Sequence, residues 1–148
     1  MSGNKIKNKG FIKLLAVEDC ETFAVMLKEC LTGIEGMRVE KHFASDMKKA
    51  MERFREKLPD AVLLDIVLPD GNGLDLIQEM LEIKPDTKII IVTGSDSHDN
   101  IKIAKERGAV GYILKPYNRQ QIIEILRKIY EQDQPTSSDR VNKINTAR

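Results

Sequence analysis

Tryptophan is absent from this 148-residue chain, cysteine occurs only twice, and no apolar run approaches membrane-spanning length. Each shortage excludes something. A bilayer-crossing helix needs about 20 consecutive predominantly apolar residues. The longest runs here, such as residues 88–92 with their flanks, fall far short, and the N-terminus is polar. No membrane-spanning or secreted segment is therefore expected. Cys20 and Cys30, if both lie on one helix, are separated by about 15 Å at a rise of about 1.5 Å per residue, too far to bridge. A reducing cytoplasm is the expected location. Without tryptophan, ion binding has to be followed through tyrosine or by NMR.

An excess of one charge is also missing. The net charge is +1, residues 1–10 carry three lysines and no acid, and residues 134–148 carry three bases against Asp139. Residues 11–133 then hold 18 bases against 22 acids. A mildly acidic body with short basic ends lacks the basic stripe of a nucleic-acid footprint, so no direct nucleic-acid contact is expected. No repeat of fixed period is present, which removes solenoids and propellers. With 41% apolar and 32% charged residues the chain can close one core and is not a disordered polyelectrolyte. Its length suits one ordinary domain and excludes two full ones.

Residues 1–10 and 132–148 lack apolar periodicity and read as tails around a folded unit over 11–131. The second tail has the composition of a native disordered end or of a linker cut before an output domain. Inside the unit, short β-rich runs alternate with stretches of helical period, the signature of an α/β fold. Strands are predicted at 11–17, 37–43, 61–65, 88–93 and 110–114. The first helix, 20–34, places Phe23, Leu27, Cys30, Leu31 and Ile34 on one face, with Gly33 and Gly36 as stops. The second, N-capped by Ser45, turns Met47, Ala50, Met51, Phe54 and Leu58 inward and closes at Pro59. Helices at 74–83, 99–107 and 120–131 follow. Ile101, Ala104 and Lys105 are the fourth helix's only plausible inner contacts, which makes it the helix expected to move most. The fifth turns Ile122, Ile125, Leu126 and Ile129 inward. Met26, Met47, Met51 and Met80 read as core filling. Five β/α units with right-handed crossovers give a doubly wound parallel sheet between two helical layers, with ligands beyond the carboxyl ends of its strands.

The residues that end the strands are chemically unlike the strands. Glu18 and Asp19 follow the first, Asp65 ends the third, Thr93 the fourth, and Lys115 follows the fifth. Three converging carboxylates repel one another unless their pKa values rise or a divalent cation binds. Hard oxygen ligands with positions left to water favour Mg²⁺. Asp19 and Asp65 are the direct candidates, with Glu18 acting through water. Asp65, at the end of an apolar central strand and before a solvent-facing loop, is also the best nucleophile toward phosphorus. Residues 69–73, Pro-Asp-Gly-Asn-Gly, supply turn residues able to take positive φ there. Lys115 offers an ammonium to a phosphoryl oxygen and Thr93 a hydroxyl to another. Pro116 invites a cis bond that would aim the lysine back at the site, although trans is the commoner state.

Four motifs in order, LLAVEDC, VLLDIVLPDGNGLDL, IIIVTGSD and GYILKPY, resemble those of response-regulator receiver domains of two-component signalling, chemotaxis regulators included. The resemblance covers about 11–131 and implies a flavodoxin-like (βα)5 three-layer sandwich with strand order 2-1-3-4-5. It implies that Asp65 accepts a phosphoryl group from a sensor histidine kinase or a phosphotransfer protein. Glu18, Asp19 and Asp65, with the backbone carbonyl of Val67, would hold Mg²⁺. Lys115 would contact the phosphoryl group, and Thr93 and Tyr112 would be the switch pair. Phosphorylation would draw Thr93 inward and let Tyr112 follow, altering the face of the fourth helix, fifth strand and fifth helix, where a downstream protein or a second copy would dock. Such a domain catalyses its own phosphorylation and slow dephosphorylation and is a signalling switch rather than a turnover enzyme. Gly94 stands where the family often has Ala, so that loop is expected to be looser. Val67 and Ser95 flank the site and are expected to tune hydrolysis.

Plainer roles stay open for several of these residues. Glu18 and Asp19 can serve a helix dipole, a role compatible with a metal. Thr93 can be a plain strand residue and Tyr112 a half-buried core aromatic. His42 and His98 lack a second ligand at useful spacing and read as surface or loop residues. A flavin carrier would want a phosphate-cradling loop where Glu18 and Asp19 stand, and a haloacid-dehalogenase-type phosphatase a second Asp at the place of Val67. A receiver-like docking module that never meets phosphate is the third alternative.

Overall fold

The computed structural model describes residues 10–94 and 98–132. Five strands, β1 (Ile12–Val17), β2 (Val39–Ala44), β3 (Ala61–Leu64), β4 (Lys88–Thr93) and β5 (Gly111–Leu114), form one parallel sheet in the order β2-β1-β3-β4-β5. Five helices connect or follow them: α1 (Glu21–Cys30), α2 (Met47–Lys57), α3 (Asp75–Ile83), α4 (His98–Arg107) and α5 (Arg119–Gln132). This is the doubly wound fold that the alternation of periods predicts, in the strand order implied by the motifs.

Strand alternation divides the interior into two cores. Ile12, Leu14 and Ala16 of β1, Leu63 of β3 and Ile90 and Val92 of β4 face α1 and α5. Leu15, Val17, Val62, Leu64, Ile89 and Ile91 face the opposite layer of α2, α3 and α4. Because consecutive side chains point to opposite faces and both faces are covered, the central strands are apolar at nearly every position. Truncating one of these side chains, Leu63 for example, to alanine costs about 2–5 kcal/mol at a fully buried site.

Several local features differ from the periodicity-based expectations. The cap of α2 is Asp46, whose side chain accepts from the Lys49 N–H at 2.7 Å, and not Ser45. Both residue types cap well, so only the backbone decides between neighbours. Leu58 points out of the core, because it ends α2 in the left-handed region at φ 48° ahead of Pro59. α1 ends at Cys30, short of Ile34, although Leu31 and Ile34 remain buried. In α4, Ala104 is buried and Ile103 packs partly against the core, while Lys105 is exposed. With so few apolar residues the phase of that helix is poorly defined by pattern alone. Strand β2 begins at Val39, two residues later than predicted, and β5 at Gly111.

The segment after Asp65 is not a plain loop. Val67–Leu68 pairs antiparallel with Gly71–Asn72 in a small hairpin. Among the described residues of that turn only Gly71, at φ 153°, uses positive φ. Asn72 Oδ1 instead accepts from the Leu74 N–H at 2.9 Å.

Candidate functional site

The register of the sheet brings the strand-end residues together. Val17 is level with both Ala44 and Leu64, so Glu18 and Asp65, each one residue further on, emerge side by side. Their backbones continue the ladder for one more step: the Glu18 N–H donates to the Ala44 carbonyl at 2.9 Å and the Asp65 N–H to the Val17 carbonyl at 3.1 Å. Thr93 is level with Leu114 at the other side, and the Lys115 N–H donates to the Thr93 carbonyl at 2.8 Å. The Lys115–Pro116 bond is cis.

Lys115 crosses the pocket. Its Nζ donates to Asp65 Oδ2 at 3.0 Å, forms a short ion pair with Glu18, and sits 4.3 Å from the centre of the Phe23 ring. Glu18, Asp65 and Thr93 are buried, whereas Asp19 is exposed at the mouth. Glu18 also accepts from the Cys20 N–H at 3.1 Å. Burial pushes the Glu18 carboxyl above its ordinary value against the hydrogen bonds from Lys115 and Cys20, and the Asp65 charge pushes it the same way. Burial acts to depress Lys115, but its bonds to Glu18 and Asp65 outweigh that and raise it, so the ammonium stays charged.

One oxygen from each of Glu18, Asp19 and Asp65 lies within 4.8 Å of the others, a group able to hold one metal ion. The donors are all hard carboxylate oxygens, which suits a hard divalent cation and not a soft one. Two bonds of about 2.1 Å span only about 4.2 Å. A separation bounded by 4.8 Å is close to that span, so the three carboxylates would need little movement to hold a small ion. Val67 lies two residues beyond Asp65 in the hairpin, with its side chain 74% exposed. Tyr112, on β5, is 43% exposed and lines a groove with Gln121 and Glu124 of α5. Ser95 lies outside the described residues.

Other participants escaped the pattern of strand ends. Phe23, whose spacing marks it as core, also forms the floor under the Lys115 ammonium. Tyr117, two residues past Lys115, stacks tilted on Phe23 with centroids 6.1 Å apart. Its buried hydroxyl has no partner among the described residues, and burial followed by the Glu18 charge pushes its pKa well above the ordinary tyrosine range. Gly73 is required by proximity: a Cβ there would lie 1.9 Å from the Asp65 carbonyl oxygen. No signal short of the folded backbone marks it. His42 sits within β2 with Nε2 2.8 Å from Glu40, and His98 opens α4; neither approaches the pocket's acid group.

A parallel five-stranded α/β sheet with a half-buried lysine bound to acids at its carboxyl edge points to a class of phosphorylation-based signalling domain. Residues 14–127 match the response regulator receiver domain, and the chain belongs to that family. It is 32% identical over 117 residues to the chemotaxis protein CheY of Thermotoga maritima, covering 79% of this chain and 96% of that protein. The probable C4-dicarboxylate response regulator DctR of Bacillus subtilis is 29% identical over 116 residues, and there the chain spans only 51% of the relative's length. Among solved structures, a CheY-like receiver domain protein from Methanospirillum hungatei superposes with a TM-score of 0.74 at 31% identity, covering 83% of this chain and 97% of that one. Among the described residues no helix is long and apolar enough to cross a membrane.

Proposed function

We propose that Asp65 is the phospho-acceptor of a Mg²⁺-dependent switch. The observation that carries this reading is the Lys115 ammonium bound to both Asp65 and Glu18, with Asp19 completing an oxygen-only group within 4.8 Å. An Asp65 carboxylate oxygen attacks the phosphorus of a phosphohistidine on a sensor kinase or phosphotransfer protein. The P–N bond breaks, its electron pair leaves with the imidazole, and an acyl phosphate forms on Asp65. Glu18, Asp19, Asp65 and the Val67 carbonyl would hold Mg²⁺, which when bound neutralises charge on the transferring group. Lys115 follows the new phosphoryl oxygens, keeping one bond to the acid group. Attack of water on phosphorus later returns the carboxylate and releases phosphate.

The added charge, about two units at neutral pH, offers the buried Thr93 hydroxyl a new acceptor. Tyr112 now stands outward, so the inward turn would remove an aromatic from the groove it lines with α5. The α4–β5–α5 face is thereby the surface on which a downstream protein or a second copy reads the state, a shift between two packings rather than a new contact. Incubation with acetyl phosphate and Mg²⁺ should add about 80 Da to the intact mass, and Asp65→Asn should abolish the gain. Beryllofluoride with Mg²⁺ should shift amide resonances near Thr93 and Tyr112. An unchanged mass in the unmodified protein, or uptake by Asp65→Asn at the same stoichiometry, overturns the proposal.

A further inference from the structure

The start of α2 is satisfied in an unusual way. A helix leaves its first four N–H groups without intrahelical partners. Here the Asp46 side chain takes one of them, from Lys49 at 2.7 Å, while its carbonyl accepts the first bond of the helical ladder, from Ala50 at 2.9 Å. Two more go to a residue 23 and 22 positions further on: Met47 N–H donates to Asp70 Oδ1 at 2.8 Å and Lys48 N–H to Asp70 Oδ2 at 3.2 Å. Asp70 is the tip of the hairpin that follows Asp65. A carboxylate there also meets the positive end of the helix dipole.

The hairpin is held by little else on that side. Of residues 67–72 only Leu68 is buried. Gly71 lets the tip close on the helix, since a Cβ there would lie 2.5 Å from Met47 Sδ. At the other end the Gly73 N–H donates to the Ile66 carbonyl at 2.6 Å and packs against the Asp65 backbone. An unbroken series of close contacts therefore runs from the first turn of α2 through Asp70 to the backbone that carries Asp65 and Val67.

From this geometry we infer that Asp70 is a positioning residue: by binding the N-terminus of α2 it fixes the hairpin, and so sets the cation affinity of the acid group and the rate of acceptor phosphorylation. The inference rests on the phospho-acceptor reading of Asp65. Release of Asp70 frees the hairpin to pivot about Leu68. Small displacements at a positioned site are costly, up to about 10²-fold per ångström; a hinge retaining Leu68 should cost less.

The test uses the full chain and three substitutions, Asp70→Ala, Asp70→Asn and Asp46→Ala, measured by Mg²⁺ titration in NMR, by initial rate of mass gain from acetyl phosphate, and by thermal unfolding. Asp70→Ala should weaken Mg²⁺ binding and slow phosphorylation by about three- to tenfold. Asp70→Asn, which keeps an acceptor oxygen, should recover most of both. Asp46→Ala removes the neighbouring cap of the same helix without touching the hairpin. It should lower thermal stability while leaving Mg²⁺ affinity within about twofold. If Asp70→Ala matches an unmodified protein that binds Mg²⁺ and takes up the label, or if Asp46→Ala weakens binding as much, the inference alone falls. If the unmodified protein does neither, the phospho-acceptor reading falls and takes this inference with it.

Discussion

Asp60 and Asp65 flank the same four-residue strand, and both are almost entirely buried, at 4% and 6% exposed. At the amino end, Asp60 Oδ2 accepts from the Lys13 N–H at 2.8 Å, and Lys84 Nζ stands 3.8 Å from Oδ1 while also pairing with Asp86. Its own N–H and carbonyl are bonded to Lys13 and Lys88, and the nearby Thr87 hydroxyl donates to the Pro59 carbonyl at 3.0 Å. That carboxylate is committed to holding β1, β3 and the approach to β4 together. At the carboxyl end, Asp65 shares one ammonium with Glu18 and stands among like charges. Equal burial therefore does not give the two acids equal surroundings. What separates the two is whether the neighbours consume its lone pairs or compete for the same cation.

The largest expected effect sharpens that contrast. Asp65→Asn should lose the phosphoryl gain completely, whereas Asp60→Asn should keep it, and intact mass after acetyl phosphate treatment separates them; equal loss in both would erase the distinction. Next, Gly73→Ala should cost about 1–3 kcal/mol or more, because the backbone carrying Asp65 must move to admit the methyl group. Gly94→Ala, with nothing among the described residues within 4 Å of the added Cβ, should stay within about 0.5 kcal/mol by denaturant unfolding. A mild Gly73→Ala would mean that the hairpin yields freely.

Stability should also move in opposite directions at the two ends. Asp60→Ala leaves a buried N–H and lysine underserved, for a loss of about 1–3 kcal/mol. Asp65→Asn without Mg²⁺ relieves repulsion and should gain about 0.5–2 kcal/mol. Loss at both positions, seen in urea melts, would show that Lys115 stabilises Asp65 more than its acidic neighbours oppose it. The smallest effect is at the exposed Asp70. The Met47 N–H, and then that of Lys48, hold its carboxyl below the ordinary value of 3.8. Since the folded value is the lower one, its contribution is complete above the unfolded pKa and disappears as pH falls through the folded pKa. The stability gap between unmodified protein and Asp70→Ala should be constant near neutrality and narrow below about pH 4. A gap that persists unchanged into strong acid contradicts a charge-assisted cap.

Most of the strand-end chemistry was legible before folding because Val17, Leu64, Thr93 and Leu114 close apolar runs, and the polar residues just beyond a buried run have to emerge at an edge. Asp70 was legible only as a turn former. Its partners lie 23 and 22 residues away, and no local pattern connects them. Lys105 was misplaced and Ile103 overlooked for a different reason: α4 has too few apolar residues to define an inward direction until the sheet supplies one. Ser45 and Asp46 are chemically equivalent candidates for a cap, so the choice passed to backbone dihedrals.

The order of residues by itself determined the alternation of strands and helices, the residues that end each strand, and the acidic and basic character of those endings, because these depend on neighbours within one turn or one pleat. Only tertiary structure decided that Glu18 stands beside Asp65, that one ammonium serves both, and that a hairpin tip caps a helix from elsewhere in the chain. Proximity of that kind is created by crossover connections and strand register, which join segments whose sequences carry no local record of each other.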